Sequence, residues 1–121
     1  MRQLLLAALS AVALATSVAP AHAQDPVKVD SKHYKIEFEN DQVRVLRITY
    51  GPGEKSVMHE HPASVAVFLT DGHGQFTLPD GKTEPADFKA GTTMWEPAGK
   101  HLPENLGTTK FELVLIELKK K

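Results

Sequence analysis

Two stretches in the middle of the chain carry residues able to hold a metal ion. In the first, Gly53 is followed after five residues by His59-Glu60-His61 and then by Gly72. In the second, Gly91 is followed after five residues by Pro97-Ala98-Gly99-Lys100-His101 and then by Asn105. Neutral imidazole is the commonest protein ligand for transition metals. Side chains alternate faces along a strand, so His59 and His61 on one strand point the same way. Two such imidazoles hold one ion, at about 2.0–2.1 Å from each nitrogen if it is zinc, when His101 from another strand closes the site. Gly99 and Pro97 suit a tight bend just before that histidine. Three neutral ligands leave a divalent cation its full charge and open positions for water, oxygen or substrate. The cofactor expected is a divalent metal ion, with Fe, Zn, Mn, Ni and Cu all open.

The elements that must position these residues are strands. Tyr34, Ile36 and Phe38 alternate with Lys35, Glu37 and Glu39, the pattern of a half-buried strand over His33–Glu39. Gln42–Tyr50, Ser56–His61, Val65–Thr70, Gln75–Leu78, Lys82–Phe88, Thr92–Glu96 and Lys110–Leu118 also read as extended. Gly51-Pro52-Gly53 and Pro79-Asp80-Gly81 are turns, and Asp71-Gly72 is a hairpin signal. Continued in phase, the His59/His61 face carries Val65, Val67 and Leu69 into the interior, which places Glu60 outside. No amphipathic helix is evident after residue 24. Short strands separated by Gly, Pro and Asp predict an all-β fold closed as a two-sheet jelly-roll barrel.

The first 23 residues read as an export signal rather than as part of the domain. Met1-Arg2-Gln3 is a positive start, Leu4–Val18 is an apolar run, and Ala21-His22-Ala23 is a small-x-small cleavage site. The run is short for a membrane span. The expected organisation is a signal peptide over 1–23, a polar flexible arm over 24–32, a single domain over 33–118 and a solvated lysine tail over 119–121. The expected location is periplasmic or secreted, with no membrane attachment after the signal is removed. The net charge of −1 carries no basic stripe, so nucleic acid is not an expected partner. Cysteine is absent, so no disulfide staples the fold.

With these motifs in place, the chain resembles the cupin superfamily in its small single-domain form, over about Tyr34 to Leu118. The family's first motif is Gly, five residues, His-x-His, three or four residues, Glu, six residues, Gly; here Gly53, His59, His61 and Gly72 match. Its second motif is matched by Gly91, Pro97, Gly99, His101 and Asn105, with one residue fewer before the histidine. The resemblance implies a double-stranded β-helix with His59, His61 and His101 as metal ligands. The family glutamate falls at Val65, or at Ala66 with the longer spacing, and neither can bind metal. Glu96, just before Pro97, is a candidate substitute oxygen ligand.

The remaining candidates have plainer readings. His73 follows the hairpin glycine and is expected on the surface, and His33 opens a strand and is expected to be exposed. Phe68 and Trp95 read as core or as cavity lining. Arg44 and Arg47 read as solvated strand residues. Two functions then compete. One is a small exported cupin-domain protein that binds or converts a small molecule at a three-histidine metal site; as an enzyme it would be an oxygenase or isomerase. The other is a metal-free degenerate cupin, a non-catalytic binding or structural module. A homodimer through one sheet face is compatible with either.

Overall fold

The computed structural model describes residues 24–120. The signal-peptide reading over residues 1–23 lies outside them. The chain begins with a one-turn helix, α1 (Pro26–Val29), inside the segment read as a flexible arm. Asp25 caps it, its side chain accepting from the Val27 amide at 3.0 Å, and proline occupies the first helical position, where no amide is needed. Pro26 is buried, and the Gln24 carbonyl accepts from the Glu60 amide at 3.0 Å, so this segment is docked on the barrel.

Nine strands follow: β1 (Tyr34–Glu39), β2 (Val43–Tyr50), β3 (His59–His61), β4 (Ser64–Phe68), β5 (Gly72–Thr77), β6 (Thr83–Phe88), β7 (Thr93–Glu96), β8 (Gly99–Asn105) and β9 (Phe111–Leu118). They form a five-stranded sheet in the order β1-β2-β9-β4-β7 and a four-stranded sheet in the order β3-β8-β5-β6. Every pairing is antiparallel. The core between the sheets is built from alternate residues of the larger one: Leu46, Ile48 and Tyr50 of β2, Ala66 and Phe68 of β4, and Leu113 and Leu115 of β9. Phe88 of β6 stacks on Phe68 with ring centroids 4.1 Å apart, which ties the second sheet to the first. Gly53 and Gly91, the leading glycines of the two motifs, have φ of 71° and 80°, a region that side chains with a Cβ seldom enter.

Three local expectations are corrected. Asp71-Gly72 does not close a hairpin. It carries the chain from β4 in one sheet to β5 in the other. There the Asp71 carboxylate accepts from the Ala90 amide at 2.8 Å. The sequence pattern assigns no strand to Gly99–Asn105, which lacks β-branched residues and contains Pro103, yet β8 sits inside the smaller sheet. Its register with β3 and β5 is what places His101. The third correction concerns phase. Ser64, Ala66 and Phe68 face inward, and Val65 and Val67 do not. Three residue steps, not an even number, separate His61 from Ser64, because the chain changes sheets at Pro62-Ala63. The Ser64 hydroxyl closes that corner by donating to the Pro62 carbonyl at 2.6 Å.

Candidate metal centre

His59 and His61 lie on β3 with the buried–half-buried–buried pattern that alternation demands, and Glu60 between them faces out. His101 stands directly opposite His59 in the β3–β8 register. The three rings meet edge to face, with centroids 4.8, 4.9 and 5.3 Å apart. One nitrogen from each lies within 4.8 Å of the others, a group that could hold a metal ion.

Hydrogen bonds settle which nitrogen His59 and His61 can offer. The His59 Nδ1–H donates to the Val57 carbonyl at 2.8 Å, which leaves Nε2 with the lone pair. The His61 Nδ1–H donates to Glu117 Oε2 at 2.6 Å, with the same result. His101 Nε2 is buried with no protein partner, an orphaned polar atom on a ring of the group. Phe76 stacks flat on the His101 ring at 4.7 Å and limits its rotation. Metal-binding histidines commonly donate their second nitrogen to a carbonyl or carboxylate, and His59 and His61 do so here. The donor set therefore fits a divalent metal.

Burial, reinforced by the neighbouring His61, lowers the pKa of His59 to about 4. Burial and then the two other imidazoles lower that of His101 to about 3. Both rings are therefore neutral, and so carry a lone pair, at neutral pH. The Tyr34 hydroxyl donates to His59 Nε2 at 3.1 Å and is itself paired with the Tyr50 hydroxyl. Burial raises both phenol pKa values, so these remain O–H groups. An ion bound at His59 Nε2 would replace the tyrosine bond.

Behind His61 runs a chain of charged groups that the sequence reading missed. Glu117, 2% exposed, accepts from His61 through one oxygen and from Arg44 Nε through the other, at 2.6 Å each. The Arg44 guanidinium is held in turn by Asp25 at 2.8 and 3.0 Å. Arg44 is thus not a solvated strand residue. Burial raises the Glu117 pKa, but the His61 and Arg44 hydrogen bonds outweigh it and leave the carboxyl below its ordinary value. The signal was available in phase: Glu117 follows Leu113 and Leu115 on the inner face of β9, and Arg44 precedes Leu46 and Ile48 on that of β2. His33 is likewise buried rather than exposed. It stacks on Tyr50 at 4.4 Å and donates to Asp30 at 2.7 Å.

A cavity of about 610 Å³ opens from the site. His61, His101, Tyr34, Phe68, Phe88, Met94, Phe111, Leu113 and Ala66 line it. Glu96 also lines it but is not brought into the three-imidazole group. Burial raises its pKa, opposed by His61. Trp95, 56% exposed, lines the cavity at its outer side, and Phe68 is both core and lining. His73 is on the surface, paired with Asp87 at 2.5 Å.

The fold agrees with the comparisons to known proteins. Residues 46–117 match the family described as Cupin domain, and the chain belongs to that family. A cupin domain from Bordetella pertussis Tohama I is 27% identical, with a TM-score of 0.67 over 72% of this chain and 92% of that one. An RmlC-like cupin family protein with a double-stranded β-helix fold from Methanocaldococcus jannaschii is 22% identical, with a TM-score of 0.57 over 74% and 83% of the two chains. The latter likeness concerns the fold alone. No curated protein matches the chain.

Two predictions follow from this geometry. Of the two positions where the family carries its glutamate, Ala66 faces the cavity and Val65 does not. Ala66→Glu is expected to strengthen Mn²⁺ binding, since a carboxylate favours harder cations, and Val65→Glu is not. Melting temperatures of both variants with chelator and with Mn²⁺ check this; a larger metal-induced shift in Val65→Glu would refute it. The second concerns acid. The folded pKa values of His59 and His101 lie below the unfolded value of 6.5. Between pH 6.5 and about 4 the unfolded chain therefore binds more protons, and stability falls as pH falls. The metal-free protein is expected to lose on the order of 1–2 kcal/mol per histidine between pH 7 and pH 5. Chemical denaturation at the two pH values measures it, and His59→Gln should flatten the dependence.

Proposed function

We propose that this cupin binds a divalent metal through His59, His61 and His101 and positions a small, mostly apolar molecule beside it in the barrel cavity. The observation that carries the reading is the convergence of three imidazoles of which two are fixed as lone-pair donors and the third has a buried, unpartnered nitrogen. When bound, the ion would supply Lewis acidity and open coordination positions. The chain's own residues do the rest. Phe68, Phe88, Phe111 and Met94 give the cavity an apolar wall. The Tyr34 hydroxyl, freed from His59, is a donor at the edge of the site. Of the carboxyl residues that line the cavity, Glu84, Asp87 and Glu96, it is Glu96 whose burial raises its pKa, which suits it to exchange a proton with a bound molecule.

We further propose that the protein is exported, on the strength of the signal-like segment before Gln24. Intact-mass measurement of the protein recovered from the cell envelope or medium is expected to show a chain starting at Gln24; a mass that includes Met1–Ala23 would count against export.

Metal analysis of the purified protein by inductively coupled plasma spectrometry is expected to find about one ion per chain. His59→Ala and His61→Ala should abolish that stoichiometry. His73→Ala should retain it, because His73 is exposed and not part of the group. Equal loss in all three variants would show that the ligand set is drawn wrongly, and no metal in the wild type would leave the metal-free binding module as the better reading.

A further inference from the structure

The three imidazoles contribute no charge, and the family's glutamate positions hold Val65 and Ala66. A full carboxylate nevertheless lies one residue behind the group. Glu117 occupies an inner-face position of β9, in line with Leu113 and Leu115, where a hydrophobic side chain would be expected. Both of its oxygens are committed: Oε2 to the His61 Nδ1–H and Oε1 to Arg44 Nε, each at 2.6 Å.

A simple ion pair with Arg44 does not account for this placement. Asp25 already holds Arg44 by two hydrogen bonds, at 2.8 and 3.0 Å. The Glu117 oxygen on His61 is surplus to that pairing. Taken together, Asp25, Arg44 and Glu117 carry one net negative charge. The end that faces the site is the carboxylate on His61. A carboxylate on the far nitrogen of a ligating imidazole fixes the ring's tautomer and raises its basicity.

Resting on the three-histidine reading above, we propose that Glu117 supplies through His61 the negative charge that the family's glutamate would bring directly. Arg44, clamped by Asp25, is the positioning residue that holds the carboxylate in line. The anion has moved from the coordination sphere to the far side of a ligand. This leaves the coordination position at Ala66 free on the cavity side while part of the ion's charge is still offset.

Glu117→Gln keeps the side-chain shape and one oxygen to accept from His61, and removes the charge together with the bond to Arg44, whose Nε–H then faces the amide NH2. Co²⁺ affinity measured against a chelating dye is expected to fall 10–100-fold in this variant. In the metal-free protein, the His61 Nδ1–H proton resonance should lose the downfield shift that a carboxylate partner imposes. Asp25→Asn keeps the cap on α1, because asparagine serves there as well as aspartate. It leaves Glu117 as the sole counter-charge of Arg44, which offsets the carboxylate's own charge, and should weaken Co²⁺ binding by a few-fold. Glu117→Gln that folds and binds Co²⁺ within twofold of the wild type overturns the proposal and leaves the three-histidine reading standing. If Glu117→Gln does not fold, unchanged affinity in Asp25→Asn overturns it. A wild type that takes up no Co²⁺ overturns both.

Discussion

A charged carboxylate with 2% exposure is the constraint around which much of this barrel is arranged. Removing an unpaired ion from water costs several kcal/mol even after relaxation, so Glu117 can persist only with its oxygens satisfied. Arg44 and His61 do this from two different strands and two different sheets. Arg44 needs its own counter-charge at that depth, and Asp25 provides it from a segment that precedes the first strand. One buried anion therefore ties β2, β3, β9 and the cap of α1 into a single polar layer. The apolar layer of Leu46, Ile48, Phe68, Leu113 and Leu115 lies beside it.

That division explains why the barrel can hold a cavity at all. The aromatic stack of Phe68, Phe88 and Phe111 closes one part of the interior by packing. The polar layer closes another by hydrogen bonding, with His33, Asp30, Ser56 and Tyr50 extending it behind His59. Between them the interior stays open and is lined from both sides. The imidazoles stand at this boundary: His61 turns its donor hydrogen to Glu117 in the polar layer and lines the cavity with His101, while His59 is held between the Val57 carbonyl and the Tyr34 hydroxyl. Their ring orientation is thus a product of the layers and not of the three residues alone.

The histidines were legible in the sequence because turn glycines frame them and strand alternation needs only one intervening residue. The β-rich fold was legible for the same reason, from the short alternating runs and their punctuation. What defeated the reading was phase across corners. Pro62-Ala63 moves the chain between sheets in an odd number of steps, which turned Val65 outward and Ala66 inward. Asp71-Gly72 looks like a hairpin because its residues favour tight turns, and nothing local says that its flanking strands belong to different sheets. In Gly99–Asn105, proline and charge masked a strand whose stability comes from neighbours on both sides. Glu117 and Arg44 were legible in principle, since each breaks an apolar face at an inward position. Their being partners depends on the β2–β9 register, which pairs them directly and which a single strand does not encode.

The Tyr34 hydroxyl on His59 has a bearing on how the protein would behave with its site empty. A buried imidazole nitrogen without a partner is a standing penalty, and a site with three of them would tend to collapse or to admit water. Tyr34 occupies one lone pair and is anchored by Tyr50, so the vacant arrangement is partly a closed hydrogen-bonded structure in its own right. An arriving ion would exchange with an existing bond and not fill a void. Affinity is then a difference between two satisfied states, which sets it lower than the donor set alone would suggest. In return the barrel need not unfold when the ion departs, and loading and unloading become the breaking and remaking of one phenol–imidazole bond.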